Sequence, residues 1–246
     1  MTVNIIGIDC ATQDPKIGMC LADAGARRLR ILQVATGKRS VPPINQIVEW
    51  IGKEGTTLLA LDAPLGWPLP LSNILSRHEA GQLIHLKPDL LFRRRTDLIV
   101  EEILGKRPLE VGADRIARTA HAALGLLSKI AEIKGRQIPL VWNHNQLPSL
   151  SAIEVYPSAT LRARSVKSEG YKGKDRGNVR SSILQQIQNE LDITTDKSVI
   201  VSDDNMFDAV ICALAAFDFL NGKCLIPVDL ELARKEGWIW FRSPNE

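Results

Sequence analysis

The segment Ala209–Phe217 is apolar at every position and follows directly on Asp208. It is about half of the ~18 residues that would cross a bilayer, so it reads as a helix buried inside a protein rather than a membrane span. Asn205 to Leu220 is the predicted extent, closed by Asn221-Gly222. A helix this apolar, with small residues at Ala209, Ala213, Ala215 and Ala216, packs tightly on a sheet. Two acids, Asp204 and Asp208, stand at its start four residues apart, and therefore share one face near its positive end.

The first sixty residues supply the sheet. Val3 to Asp9 is short, rich in β-branched residues and interrupted by Gly7, where a second backbone or a ligand can approach closely. Ile17 to Ala22 and Arg28 to Val34 follow after short turns, and the three strands are most simply an antiparallel meander. Pro42-Pro43 opens a helix over Ile44 to Lys53, with Ile44, Ile47, Val48 and Ile51 on one face. Thr57 to Leu61 is a buried strand ending at Asp62, and Ala63-Pro64-Leu65-Gly66 turns the chain out of the sheet. Residues 65 to about 148 read as a mainly helical insertion, with helices over Leu98–Leu104 and Ala113–Ile133 and a loop over Pro139–Leu150. Strand character returns at Ser151–Val155, helix character at Ser181–Leu191, and a short strand is predicted at Ser198–Val201. The whole chain, residues 1–246, is expected to be a single α/β domain.

Composition closes off several classes. With 45% apolar residues and a net charge of +3, the chain is not disordered as a whole. Its N-terminus has no signal-peptide pattern, and its four cysteines stand singly with no C-x-x-C spacing. A zinc knuckle and a disulfide framework are both disfavoured, and a reduced, cytoplasmic setting is expected. The four histidines form no metal-ligand spacing.

Three acids stand where apolar strands finish: Asp9, Asp62 and Glu154. Side chains at strand ends project into the crevice beyond an α/β sheet, where ligands bind. Together with Asp204 and Asp208 they form an oxygen-only donor set of the kind that suits Mg²⁺ or Mn²⁺. Two such ions would clamp both the attacking and the leaving oxygen in phosphodiester hydrolysis. Plainer roles exist for each: a turn-initiating Asx role for Asp62, N-capping for Asp203 or Asp204, and pairing of Glu154 with an arginine at an exposed strand end.

The β-β-β-α-β order, with acids closing its first and fourth strands and a final D-x-x-x-D-A helix, resembles the RNase H-like superfamily. Asp208-Ala209 with Ala213, Ala215 and Ala216 is similar to the last catalytic helix of Holliday junction resolvases. A closer resemblance is to a family of predicted RNase H-like nucleases, catalogued as a domain of unknown function. It is carried by GIDCA (7–11), LDAPLGWP (61–68), RRTD (94–97), ADRI (113–116), EVYPSA (154–159), GYKG (170–173), FDAVICAL (207–214) and EGWI (236–239). The resemblance implies a three-layer fold whose central sheet has three antiparallel strands and then parallel ones, flanked by helices. It also implies that Asp9 bridges two metals, that Asp62 and Asp208 complete the site, and that Glu154 or Asp204 are further ligands. Products with 5′-phosphate and 3′-hydroxyl ends would follow. Glu154 departs from the superfamily pattern, since it lies on a later strand than the usual second acid.

Positive charge is local. Residues 162–180 hold seven basic and two acidic residues, which leaves the remainder of the chain net negative. A Gly-rich basic loop there, with Lys172, Lys174 and Arg180, either holds a phosphate backbone over the acids or is simply solvated. Arg94 and Arg95, in Arg93-Arg94-Arg95, are candidate phosphate ligands, while Thr96 or Asp97 caps the following helix. Trp67, Trp142, Tyr156 and Tyr171 are candidates for base stacking. The leading expectation is a metal-dependent nuclease acting on DNA or RNA, with a homodimer possible in principle and no membrane contact. Two other readings are open: an actin-like or sugar-kinase-like phosphotransferase, from the phosphate-loop likeness of G-I-D-C-A-T, and a non-catalytic nucleic-acid-binding module.

Overall fold

The structure is a computed structural model and describes residues 3–38, 40–112 and 114–244. The N-terminal meander forms as predicted, with β1 (Val3–Asp9), β2 (Gly18–Ala24) and β3 (Leu29–Thr36) in antiparallel register. Helix α1 (Pro43–Ile51) returns the chain to β4 (Thr56–Asp62), which lies parallel to β1 with Asp9 directly beside Asp62. The segment after β4 carries α2 (Leu69–Leu75), α3 (Pro88–Phe92), α4 (Arg95–Leu104) and α5 (Asp114–Lys134). Strand β5 (Leu150–Val155) then joins β4 in parallel, and α6 (Pro157–Arg162), α7 (Gly177–Gln186), β6 (Leu191–Ile193), α8 (Lys197–Ser202), α9 (Asp204–Leu220), α10 (Leu230–Glu236) and β7 (Ile239–Trp240) complete the chain.

Among the described residues, seven strands form one mixed sheet in the order β6-β3-β2-β1-β4-β5-β7. Its middle five are antiparallel over β3-β2-β1 and parallel over β1-β4-β5, as expected for the central sheet. Alternation along each strand splits the core in two. Ile5, Leu58 and Ala60 face α9, while Ile6, Ile8, Leu59 and Leu61 face α1 and α5. The apolar run Ala209–Phe217 of α9 follows from this position, because the residues from Phe207 to Phe219 are buried throughout.

Gly7 shows how close that packing is. A Cβ there would lie 2.0 Å from the Ala209 carbonyl oxygen and 2.8 Å from the Ala213 nitrogen, so the interruption of β1 admits the backbone of α9. Backbone atoms cannot rotate away as a side-chain tip can. Gly7→Ala should therefore lower stability by about 3 kcal/mol or more, at the upper end of overpacking effects; a urea midpoint unchanged from the parent would contradict this packing.

Three local expectations differ. Ser198–Val201 lies within α8 rather than a strand, because Asp196 accepts hydrogen bonds from the Ser198 N–H and hydroxyl and starts a helix there. The helix predicted over Ser181–Leu191 begins at Gly177 and stops at Gln186, and Leu191 begins the edge strand β6, which pairs with β3. Strand β7 went unpredicted, since its two residues are too few to show a period. Among the described residues, no helix is long and apolar enough to cross a membrane.

Candidate metal centre

Parallel pairing of β1 and β4 places Asp9 and Asp62 side by side at one end of the sheet. Helix α9 crosses above them, its register on Gly7 brings Asp208 down from its second turn, and one oxygen from each of the three carboxylates lies within 4.8 Å of the others. Asp208 is fully buried. Asp9 and Asp62 are half-buried and open into a cleft of about 620 Å³, also lined by Tyr156, Tyr171 and Lys172.

Burial raises the pKa of two of these acids. The Asp9 carboxyl is pushed well above the usual carboxylate range, first by burial and then by Asp62, with Lys172 opposing. Burial also pushes Asp62 up to about 6, with Lys172 lowering it and Glu154 raising it. A folded value above the ordinary 3.8 means that Asp62 contributes stability at low pH which is lost as pH rises through about 6. Without divalent ions, Asp62→Asn should gain about 1–2 kcal/mol over the parent at pH 8, discounted for the partial exposure of Asp62, and should lose that gain near pH 4. Urea unfolding of both proteins across that range checks it, and a pH-independent difference would contradict the assignment.

The GYKG segment closes over the acids. Tyr171 Oη donates to Asp208 Oδ1 at 2.8 Å, the Lys172 ammonium pairs with Asp208 Oδ2, and the Gly173 N–H donates to Asp204 Oδ2 at 2.8 Å. The Tyr171 ring is buried and lies 5.3 Å from that of Phe207. Burial pushes its phenol pKa up, which keeps the hydroxyl a donor.

The other predicted site residues do not join the three acids. Arg180 is fully buried and donates to the carbonyls of Tyr171 (2.6 Å), Gly173 (2.8 Å) and Val201 (2.7 Å), so it braces the loop instead of meeting a phosphate. Arg94 is likewise buried. It grips Glu154 through two bonds of 2.8 and 2.7 Å and Asp97 through bonds of 3.1 and 2.8 Å, and its guanidinium is not presented to a ligand. Glu154 has both oxygens engaged, with the Leu65 N–H adding a bond of 2.9 Å. It therefore pairs with an arginine in the interior, not at an exposed strand end. Asp203 takes the N-cap of α9, accepting from Asn205 and Met206, while Asp204 receives the Gly173 N–H. Arg95 and Lys174 are exposed.

The roles of several contributors escaped sequence reasoning. Tyr171, expected as a stacking candidate, bonds Asp208 instead, and Arg180, expected as a phosphate ligand, holds the loop that carries Tyr171. Glu236 accepts the N–H groups of Leu69 and Arg95, tying α10 to the starts of α2 and α4. Gly237 follows at φ +85°, where a Cβ would lie 2.7 Å from Glu154 Oε2. EGWI and LDAPLGWP thus meet around the Arg94–Glu154 pair, a link that their sequence order alone does not reveal.

A family model described as "Protein of unknown function (DUF429)" matches residues 7–231 of the chain. Among solved structures, one described as "T. thermophilus RuvC in complex with Holliday junction substrate" is similar at 12% sequence identity and a TM-score of 0.36, covering 89% of this chain and 94% of that one. No curated protein matches.

Proposed function

The chain belongs to the DUF429 family, and we propose that it is a metal-dependent nuclease that hydrolyses phosphodiester bonds of DNA or RNA. The observation that carries this reading is the convergence of Asp9, Asp62 and Asp208 within 4.8 Å at the end of the sheet.

The donor set fits Mg²⁺ or Mn²⁺. It consists of hard carboxylate oxygens, and two of its members are held at raised pKa, chiefly by burial. Asp9, Asp62 and Asp208 would hold the ions, two in number on this reading, which when bound supply Lewis-acid stabilisation of charge developing at phosphorus. Asp9, paired with Asp62 across the β1–β4 ladder and within 4.8 Å of Asp208, would serve both ions. Tyr171 fixes the rotamer of Asp208 through its hydroxyl. Glu154, oriented by Arg94, accepts the Leu65 N–H and so fixes the turn that begins at Asp62. Lys172 lines the cleft and would meet a phosphate oxygen there, and exposed Lys174 and Arg95 would add sequence-independent attraction for a nucleic-acid backbone.

The test is end-labelled single-stranded, duplex, hybrid and branched DNA and RNA, incubated with Mg²⁺, Mn²⁺ or chelator. The expected result is cleavage of at least one substrate that requires the ion and leaves 5′-phosphate ends. Failure of every substrate at every ion concentration would overturn the proposal.

A further inference from the structure

Both oxygens of Asp208 are already occupied by protein donors, Tyr171 on Oδ1 and Lys172 on Oδ2. Each oxygen keeps a lone pair, but an incoming cation competes with the Lys172 ammonium for the charge of Asp208, whereas the neutral Tyr171 hydroxyl is compatible with coordination. Tyr171 is held in place: its ring is buried against Phe207, and its carbonyl is bonded to the buried Arg180, which also grips the Gly173 carbonyl. The Gly173 N–H is anchored on Asp204 as well. Backbone bonds therefore pin the chain on both sides of Lys172, and only the Lys172 side chain, 56% exposed, is free to turn away. Such anchoring aims one lysine at one carboxylate oxygen, which an ordinary solvated surface lysine does not do.

We propose that Lys172 is an exchangeable countercation of the centre: a divalent ion gains Asp208 by displacing the Lys172 ammonium, which is released into the cleft while Tyr171 stays. This inference rests on the carboxylate-site reading above. Its consequence is that the metal-free protein keeps its acids partly neutralised, and that a positive charge becomes available in the cleft only when the centre is loaded.

The test uses the full chain and Mn²⁺ as the probe, with acylation of Lys172 by an amine-reactive reagent followed by mass spectrometry, beside calorimetric Mn²⁺ titration. Mn²⁺ should raise acylation of Lys172 severalfold in the parent and leave it unchanged in Asp9→Asn. Lys172→Met should bind Mn²⁺ roughly tenfold more tightly, the scale of one charge-assisted contact no longer competing. Tighter binding by Lys172→Met with acylation in the parent unaffected by Mn²⁺ would mean that Lys172 merely repels the ion from a distance, which overturns the exchange but leaves the carboxylate site standing. Absence of Mn²⁺ binding in both proteins would overturn the site reading and the exchange with it.

Discussion

Asp9→Asn should lose about a thousandfold or more of the ion-dependent cleavage rate while folding as the parent does. Asp9 pairs with Asp62 across the β1–β4 ladder and lies within 4.8 Å of Asp208, so removing its charge would weaken every ion the proposed centre holds. A loss of that size corresponds to about 4 kcal/mol of transition-state stabilisation, within the several kcal/mol that metal-ion catalysis supplies. The fold should be indifferent or gain. Asn has the same shape, the β1 ladder to β2 and β4 is made by backbone groups, and the raised pKa of Asp9 means that its ionised form costs stability at neutral pH. Parallel rate and melting measurements check this. Full activity in the variant, or an activity loss accompanied by a lower melting temperature, would contradict the role assigned to Asp9.

Arg94→Met should cost about 3–5 kcal/mol of stability, the cost expected when one partner of a buried charge cluster is removed. The arginine answers two buried carboxylates at once, Asp97 at the start of α4 and Glu154 on β5, and donates to the Glu236 carbonyl as well. Methionine fills much of the space and answers none of the charge. Glu154→Gln added to Arg94→Met should recover part of the loss, because one stranded charge is then gone. Urea unfolding of the parent, both single variants and the double variant measures this coupling. Additive effects, or an Arg94→Met protein as stable as the parent, would contradict the description of Arg94 as the interior tie between the insertion and β5.

The same residues show where a sequence is readable and where it is not. Periodicity and punctuation exposed the meander, β4, β5 and α9, because burial there is a local pattern: alternation in the strands, an unbroken apolar run in the helix. The three acids that converge were visible for the same reason, each standing at the end of an apolar element. The roles of Arg94 and Arg180 were not. Each residue was read as a phosphate ligand in a basic stretch, and what buries them is remote in the chain: Glu154 lies 60 residues beyond Arg94, and Val201 lies 21 beyond Arg180. Glu154 was visible as an acid at a strand end, yet its orientation depends on whether the nearest opposite charge is an ion or an arginine, and pattern alone does not decide that. The edge strands β6 and β7, of three and two residues, are too short for any period, and α8 took its helical form from the Asp196 cap over the β-branched residues that follow.

Diffraction from crystals soaked in Mn²⁺, collected where manganese scatters anomalously, tests the central claim most directly. Anomalous density bonded to oxygens of Asp9, Asp62 and Asp208, with the Lys172 ammonium withdrawn from Asp208, is the result this account predicts. Manganese bound only elsewhere on the protein, with Lys172 still paired to Asp208 at saturating concentration, would contradict it.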